Sequence, residues 1–432
     1  GLFTGGYNTN RSIAATASYS SNAAIDLFHD DSDTTTDPTI SGVEIARITL
    51  ADSGAASTVA TTSASFASTI ELMGDLDDAG STINNIGASQ TVKLGSTLDM
   101  THASSSLTLV QEGATANAPA SSLTITSDLL ETSTDANIDD LRADVVSSVS
   151  LDLASTDADV VTVTVDGASF DKASSVTVTS AENVTFGAID AADDATLDFT
   201  GVTGTLSVSA DTTNDYTIKG SATGVNTIIM STGLDNDDVI TGGSATTDSL
   251  TATINGLTAT TGALSISGVE TIELDTSTAA STINASGIVG ASTIALGSDQ
   301  DVTMTGLASG TAIQFGVTGS VDYNQTLALT MADATGSSDT LTVKLAESGA
   351  DNAISVDLDV TGVETITVEN TEAAGTNGDK GLALDGADAT TINITGGKAA
   401  EVLDLTAGGG GTSKTLNAAT TTVNASAFDG VL

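Results

Sequence analysis

The chain has no cysteine and no tryptophan, two prolines, and ten basic residues against 56 acidic ones in a length of 432. Without cysteine no disulfide can staple the fold, so a chain working in an oxidising compartment needs another clamp, for which a metal ion is the natural substitute. Pro38 and Pro119 stand far apart, so no proline-rich linker divides the chain. Aromatic residues make up 3%. The apolar remainder is mainly alanine, valine, leucine and isoleucine, which build many small contacts. Such a core suits thin, extended β architecture better than a deep globule around a ligand cavity. No apolar run approaches the ~18 residues of a membrane-spanning helix. The chain opens at Gly1 with no methionine and no basic segment of the kind that begins a secretory signal.

The shortage of lysine and arginine leaves a formal net charge of −46. A compact body carrying that charge repels itself and needs bound cations or salt to screen it. Nucleic acid is excluded as a partner, because its binding is driven by clustered basic residues that displace counterions. An anionic membrane surface is repelled as well, unless divalent ions bridge the two.

Catalytic groups are equally thin. His29 and His102 are the two histidines, far apart and in polar surroundings, so an imidazole triad or a zinc site is hard to assemble. There is no G-x-S-x-G elbow, no phosphate-binding G-x-x-x-x-G-K-[ST] loop and no cysteine nucleophile. Paired carboxylates abound, as in glycosidases, but the aromatic platforms that usually accompany them do not. The sequence reads as a non-enzyme.

What the chain does have is alternation. "SSLTITS" (Ser121–Ser127), "VVTVTVDG" (Val160–Gly167), "SSVTVTS" (Ser174–Ser180), "TLSVSA" (Thr205–Ala210) and "DTLTVKL" (Asp339–Leu345) place apolar residues at every second position. That period marks half-buried strands whose outer face carries hydroxyls. Glycine, aspartate and asparagine punctuate them every 8–12 residues or so, as in sandwiches and solenoids. Helical spacing is weak, with "TSASFASTIELMGDL" (Thr62–Leu76) the best candidate.

Phrases also repeat. "SGVEIARITL" begins at Ser41, "TGVNTIIMST" at Thr223, "SGVETIELDT" at Ser267 and "TGVETITVEN" at Thr361; Glu182, Asn226 and Glu270 follow one another at steps of 44. "STINASGIVGA" at Ser281 returns near the end as "TTTVNASAFDGVL" from Thr420. We therefore expect an all-β protein of several small β-sandwich or β-solenoid-like units, built from degenerate repeats of roughly 44–47 residues. Expected divisions are 1–125 (a distinct, partly irregular N-terminal domain), 126–250, 251–345 and 346–432, the last ending partway through a repeat. The N-x-[ST] pattern at Asn10, Asn183, Asn284, Asn324, Asn393 and Asn424 is what chance produces in a chain so rich in serine and threonine.

The acidic clusters read best as calcium ligands, because calcium takes six to eight oxygens in flexible geometry and aspartates in glycine-containing turns supply them. The richest window is "STGLDNDDVITGGSATTDSL" (Ser231–Leu250), with Asp235, Asn236, Asp237, Asp238 and Asp248 as ligand candidates. Further candidates are Asp30, Asp31 and Asp33, then Asp75, Asp77 and Asp78, and finally Glu401 and Asp404 in "ITGGKAAEVLDLTAGG".

The first of these windows resembles the calcium-binding RTX nonapeptide G-G-x-G-x-D-x-U-x, in which U is apolar and buried. Gly233 takes the first place, Asn236 the third glycine, Asp238 the ligand aspartate and Ile240 the U position; Leu234 replaces the second glycine. In the later window Gly396 and Gly397 open the copy, Glu401 replaces the ligand aspartate and Leu403 fills U. Together with the repeated phrases, the acidity and the absence of cysteine, the chain resembles bacterial surface-layer proteins of the RTX-related, calcium-dependent kind. That resemblance implies export without a cleaved N-terminal signal and folding outside the cell in calcium. It further implies self-assembly into a lattice, held over lipopolysaccharide or another cell-surface glycan. A segment of a large secreted adhesin, or a subunit of an extracellular filament, is the alternative reading.

Overall fold

The structure, a computed structural model, describes residues 12–432 apart from 15–23, 30–38, 42–43, 51–56, 61–66, 76–79, 101–105, 129–134, 155–161, 211–213, 232, 255–256, 258–261, 276–278, 298–299, 316–322, 334, 348–353, 373–379, 386–388, 398–402, 406–419 and 430–431. It is nearly all β, with parallel strands stacked coil upon coil as a β-solenoid. The chain divides into two compact units, Gly1–Ile228 with Gly243–Ala245, and Ile229–Gly242 with Thr246–Leu432.

In the first unit one sheet takes, in order, Ala24–His29, Ile45–Leu50, Thr69–Asp75, Thr91–Asp99, Leu123–Asp128, Ser148–Ala154, Ser175–Ser180, Ala195–Val202 and Tyr216–Lys219. A second takes Ser57–Ala60, Ser81–Ile86, Leu107–Gln111, Asp135–Arg142, Thr162–Phe170, Asn183–Ala191 and Leu206–Ala210. Successive strands alternate between the sheets, so each strand's lateral partner lies one coil away in sequence. The alternation of residues dictates the packing. In Ser148–Ala154 the side chains of Val149, Leu151 and Leu153 turn inward and are buried, while the serines and Asp152 turn out. The core is the space between the two sheets, where the Phe186 ring of one meets the Phe199 ring of the other at 5.6 Å between centroids.

Coil length explains the repeat. Thr205 donates its N–H to Asn183 Oδ1 22 residues earlier, and Ser147 reaches the Ala120 carbonyl 27 residues earlier. The 44-residue step between phrases is two coils of 22.

In the second unit Val239–Thr241, Ser265–Ser267 and Ile288–Val289 form one sheet. Ser249–Thr253, Thr271–Asp275, Thr293–Leu296, Ala312–Phe315, Thr340–Glu347, Thr365–Glu372, Thr391–Gly396 and Thr422–Phe428 form another. Ser281–Asn284, Val302–Leu307, Tyr323–Met331, Ile354–Thr361, Lys380–Asp385 and Leu403–Asp404 form a third.

The repeated phrases mark the corners. In "SGVET" and "TGVET" the glycines, Gly268 and Gly362, adopt φ of 63° and 73°, a left-handed turn that a side chain disfavours. Val269 and Val363 behind them are fully buried. Glu270 Oε2 then accepts the N–H of Asp248 at 2.9 Å, and Glu364 Oε2 accepts that of Asp339 at 2.8 Å. The N–H groups of Glu270 and Glu364 in turn donate to the Asp248 and Asp339 carbonyls. Each glutamate thus grips the preceding coil with side chain and backbone together. In "TGVNT" the buried Asn226 works locally instead, accepting the Ser221 N–H at 2.6 Å and donating to the Ser221 and Gly224 carbonyls.

The "NAS" phrase is a bend. Asn284 Oδ1 accepts both the N–H (3.2 Å) and the Oγ–H (2.7 Å) of Ser286. The chain turns there through a short 3-10 segment, Ala285–Gly287. Ser281–Asn284 pairs with Val302–Leu307, whereas Ile288–Val289, just past the bend, pairs with Ser265–Ser267. At the second copy Asn424 and Ser426 repeat the same two bonds, at 3.2 and 2.8 Å, and the pairing register slips. At these two positions the N-x-S pattern has a conformational role.

One expectation is corrected. Within Thr62–Leu76, offered above as the best helix, Thr69–Asp75 is a strand pairing in parallel with both Ile45–Leu50 and Thr91–Asp99. Its inward residues Ile70 and Leu72 are fully buried. Lateral pairing on both sides outweighs a weak local helical spacing.

Candidate metal site

The acidic turn of the second unit is bracketed by two buried apolar anchors, Leu234 and Ile240. Ile240, at the apolar position of the nonapeptide pattern, is the inward residue of the short strand Val239–Thr241. Between the anchors the carboxylates organise the backbone. Asp238 Oδ2 accepts the Asp235 N–H at 3.0 Å, Asp235 Oδ1 accepts the Asp237 N–H at 2.8 Å, and the Asn236 amide donates to Asp237 Oδ1 at 3.0 Å. Asp238 is 1% exposed, and a carboxylate oxygen of Asp235 lies within 4.8 Å of one of Asp238. After the strand, Gly242 passes so close to the next coil that a Cβ there would collide with the Gly268 carbonyl oxygen. The double glycine is thus a requirement of coil stacking.

The donor set fits calcium in kind. It is all oxygen, two carboxylates lie side by side, and each has already used one oxygen to accept a backbone N–H, which fixes its orientation. Asp235 and Asp238 would hold the ion, with Asp237 and the Asn236 amide oxygen next to them in the chain.

The remaining predicted ligands are placed differently. Asp248 is fully buried at a coil corner, its N–H on Glu270 and its carboxylate beside Gly242. Asp75 ends the strand Thr69–Asp75 and stands in register with Asp99. Asp404 is exposed on Leu403–Asp404, whose Leu403 is buried. Asp30, Asp31, Asp33, Asp77, Asp78 and Glu401 lie outside the described residues.

Sequence reading missed two electrostatic features of the first unit. One is a ladder on neighbouring strands. Arg47, Glu71 and Lys93 stand in register, with Arg47 Nε 2.6 Å and Lys93 Nζ 3.1 Å from the Glu71 carboxylate, and Lys93 also 3.0 Å from Asp128. Burial by itself would raise the Glu71 pKa, but the hydrogen bonds and charges of Arg47 and Lys93 prevail and hold it below the ordinary value. The other gathers Asp144, Ser169 and Asp171, where Ser169 Oγ lies 2.7 Å from Asp144 Oδ1 and 3.0 Å from Asp171 Oδ1. Burial, with Asp171 and Asp140 adding to it, pushes the Asp144 carboxyl above its usual value despite the Ser169 bond and Arg142. The only signal for the ladder in the sequence is three charges, each at an outward place of a strand, and that signal appears once the coil register is known.

Comparison of the chain with protein-family models and with curated proteins finds no match.

Proposed function

We propose that the chain is a structural subunit of an extracellular bacterial surface layer, folded and held together by calcium outside the cell and assembling with its own copies. The observation that carries this reading is the fate of its charges. Four of the ten basic residues, Arg47, Lys93, Arg142 and Lys219, are committed to neighbouring acids, and the −46 that stands after all ten are counted is left to external cations. A repetitive solenoid, whose units bury their faces on one another, suits a scaffold. The Asp235–Asp238 turn offers an oxygen-only seat for the ion. Calcium at the acidic faces would turn repulsion between copies into contact, and a cell-surface glycan such as lipopolysaccharide would anchor the assembly.

The test is electron microscopy and thermal melting of the 432-residue chain with millimolar calcium and with excess EDTA. Regular sheets or tubes in calcium, their dissolution on chelation and a lowered melting temperature are expected. Asp238→Asn should shift the calcium dependence to higher concentration. Unchanged melting and assembly in EDTA refute the calcium mechanism. A calcium-stabilised monomer that coats a surface instead favours an adhesin segment.

A further inference from the structure

Four successive strands of the second unit, Thr340–Glu347, Thr365–Glu372, Thr391–Gly396 and Thr422–Phe428, lie side by side in one parallel sheet. Each begins T-x-T or T-x-N. The register places Thr340, Thr365, Thr391 and Thr422 in one column, and Thr342, Thr367, Asn393 and Asn424 in the next. On the first three strands the residues between them, Leu341, Ile366 and Ile392, are buried, so both columns stand on the outer face; on the fourth, Val423 is itself exposed. Thr340, Thr422 and Asn424 are exposed and the rest half-buried.

Two properties set this face apart. It carries no charge across eight positions, in a chain with 56 acidic residues; charge adjoins it on both sides, with Lys344 opposite Glu369 in the next column and Asp339 and Glu364 at the corner just before Thr340 and Thr365. Among the described residues, the six threonine hydroxyls have no protein partner, and the one bond within the array joins Asn424 Nδ2 to Asn393 Oδ1 at 3.4 Å. A neutral array has no opposite charge with which an ionic ligand could pair. It also contains no aromatic ring, which a sugar face would stack on.

What it does offer is a lattice. Parallel strands repeat every 4.7–4.9 Å or so, and alternate residues along a strand every ~6.6 Å. Water molecules joined tetrahedrally by O–H···O bonds of about 2.75 Å place second-neighbour oxygens about 4.5 Å apart. A column of threonines therefore nearly matches the oxygen spacing of ice. Each of the six threonines supplies a hydroxyl to join the water network and a methyl to order the waters around it, and Asn393 and Asn424 supply amide groups in the second column.

We infer that this threonine face adsorbs to ice. Waters held in register across the two columns merge with the crystal surface, and the rigid coil stacking keeps the spacing constant.

The test uses the full chain in calcium-containing buffer, reading ice-crystal shaping, thermal hysteresis and inhibition of recrystallisation. Faceted crystals and a measurable hysteresis gap are expected for the unaltered chain. Thr367→Lys, placed in the middle of the array, should abolish both. Thr367→Val, which keeps the side-chain shape, should weaken them. Thr177→Lys, at an exposed outward position on the strand Ser175–Ser180 of the first unit, should leave them intact. Circular dichroism of each variant confirms that the solenoid has folded. The inference is overturned if the unaltered chain neither shapes nor inhibits ice, if Thr367→Lys and Thr177→Lys have the same effect, or if the face instead retains the chain on insoluble cellulose or chitin without any effect on ice.

Discussion

Replacing Glu71 by glutamine removes one negative charge from between two positive ones and changes little else in shape. The Glu71 side chain is 10% exposed, while those of Arg47 and Lys93 are 37% and 31% exposed. An exposed ion pair contributes about 0.2–1 kcal/mol, whereas breaking a buried one costs about 3–5 kcal/mol. Glu71 stands between these limits, nearly buried itself but with cations that reach solvent, so the expected loss is about 2 kcal/mol. The pH dependence has a definite sign. Arg47 and Lys93, overcoming burial, depress the folded-state pKa of Glu71. The contribution is therefore complete above the unfolded-state value of about 4.3 and is lost as pH falls through the lower folded-state value. Because a solenoid unfolds in local steps, the appropriate assay is native-state hydrogen exchange on the amides of Ile45–Leu50, Thr69–Asp75 and Thr91–Asp99. At neutral pH, Glu71→Gln should lower their protection while leaving Asn183–Ala191, several coils away, unaffected. On acidification, after correction for intrinsic exchange rates, the unaltered chain should lose that increment and the variant should not. Protection unchanged at neutral pH, or an equal acid loss in both proteins, would refute the reasoning.

Two further outcomes follow from the stacking of coils. At Gly224 a Cβ would collide with the Gly204 carbonyl oxygen on the coil before it. Gly224→Ala should therefore destabilise the first unit by about 3 kcal/mol, as overpacking against backbone does, and urea unfolding followed by circular dichroism should show it; a midpoint within error of the unaltered chain would contradict the close approach. At the second-unit corner, Glu364→Ala removes the acceptor of the Asp339 N–H and should cost about 1–2 kcal/mol, while Glu364→Gln, which keeps an oxygen at that place, should cost less. Equal effects of the two would show that the carboxylate does not grip the preceding coil.

Much of the architecture was open to reading along the chain. Leu123–Asp128 and Ser175–Ser180 announce themselves by alternation, and the residues expected inward, Leu123, Ile125, Val176 and Val178, are buried. The "GVN" and "GVE" phrases were visible as an echo, 44 residues from Asn226 to Glu270 and 94 from Glu270 to Glu364, and the structure gives the last two a cause in the corner glycine, the buried valine and the glutamate that caps the previous coil. In the acidic window Ile240 is buried as the nonapeptide pattern requires, and Asp235 and Asp238 come together. Asp248 does not join them in that role, being taken up by a corner whose partner, Glu270, lies 22 residues further on.

The dividing line between what the chain spells out and what folding decides has a physical origin. A strand's two faces are set by adjacent residues, so period two, the glycine turns and the excess of acid are properties of the sequence itself. Lateral contacts in a parallel coil join residues about 22 to 27 apart, and no local pattern encodes that distance. Only the stacked coils bring Arg47, Glu71 and Lys93 into one ladder, turn Thr69–Asp75 into a strand, and let the same "NAS" bend transfer the chain between sheets at Asn284 but merely slip the register at Asn424. The hydrogen bonds that decide these outcomes exist only once neighbouring coils lie side by side.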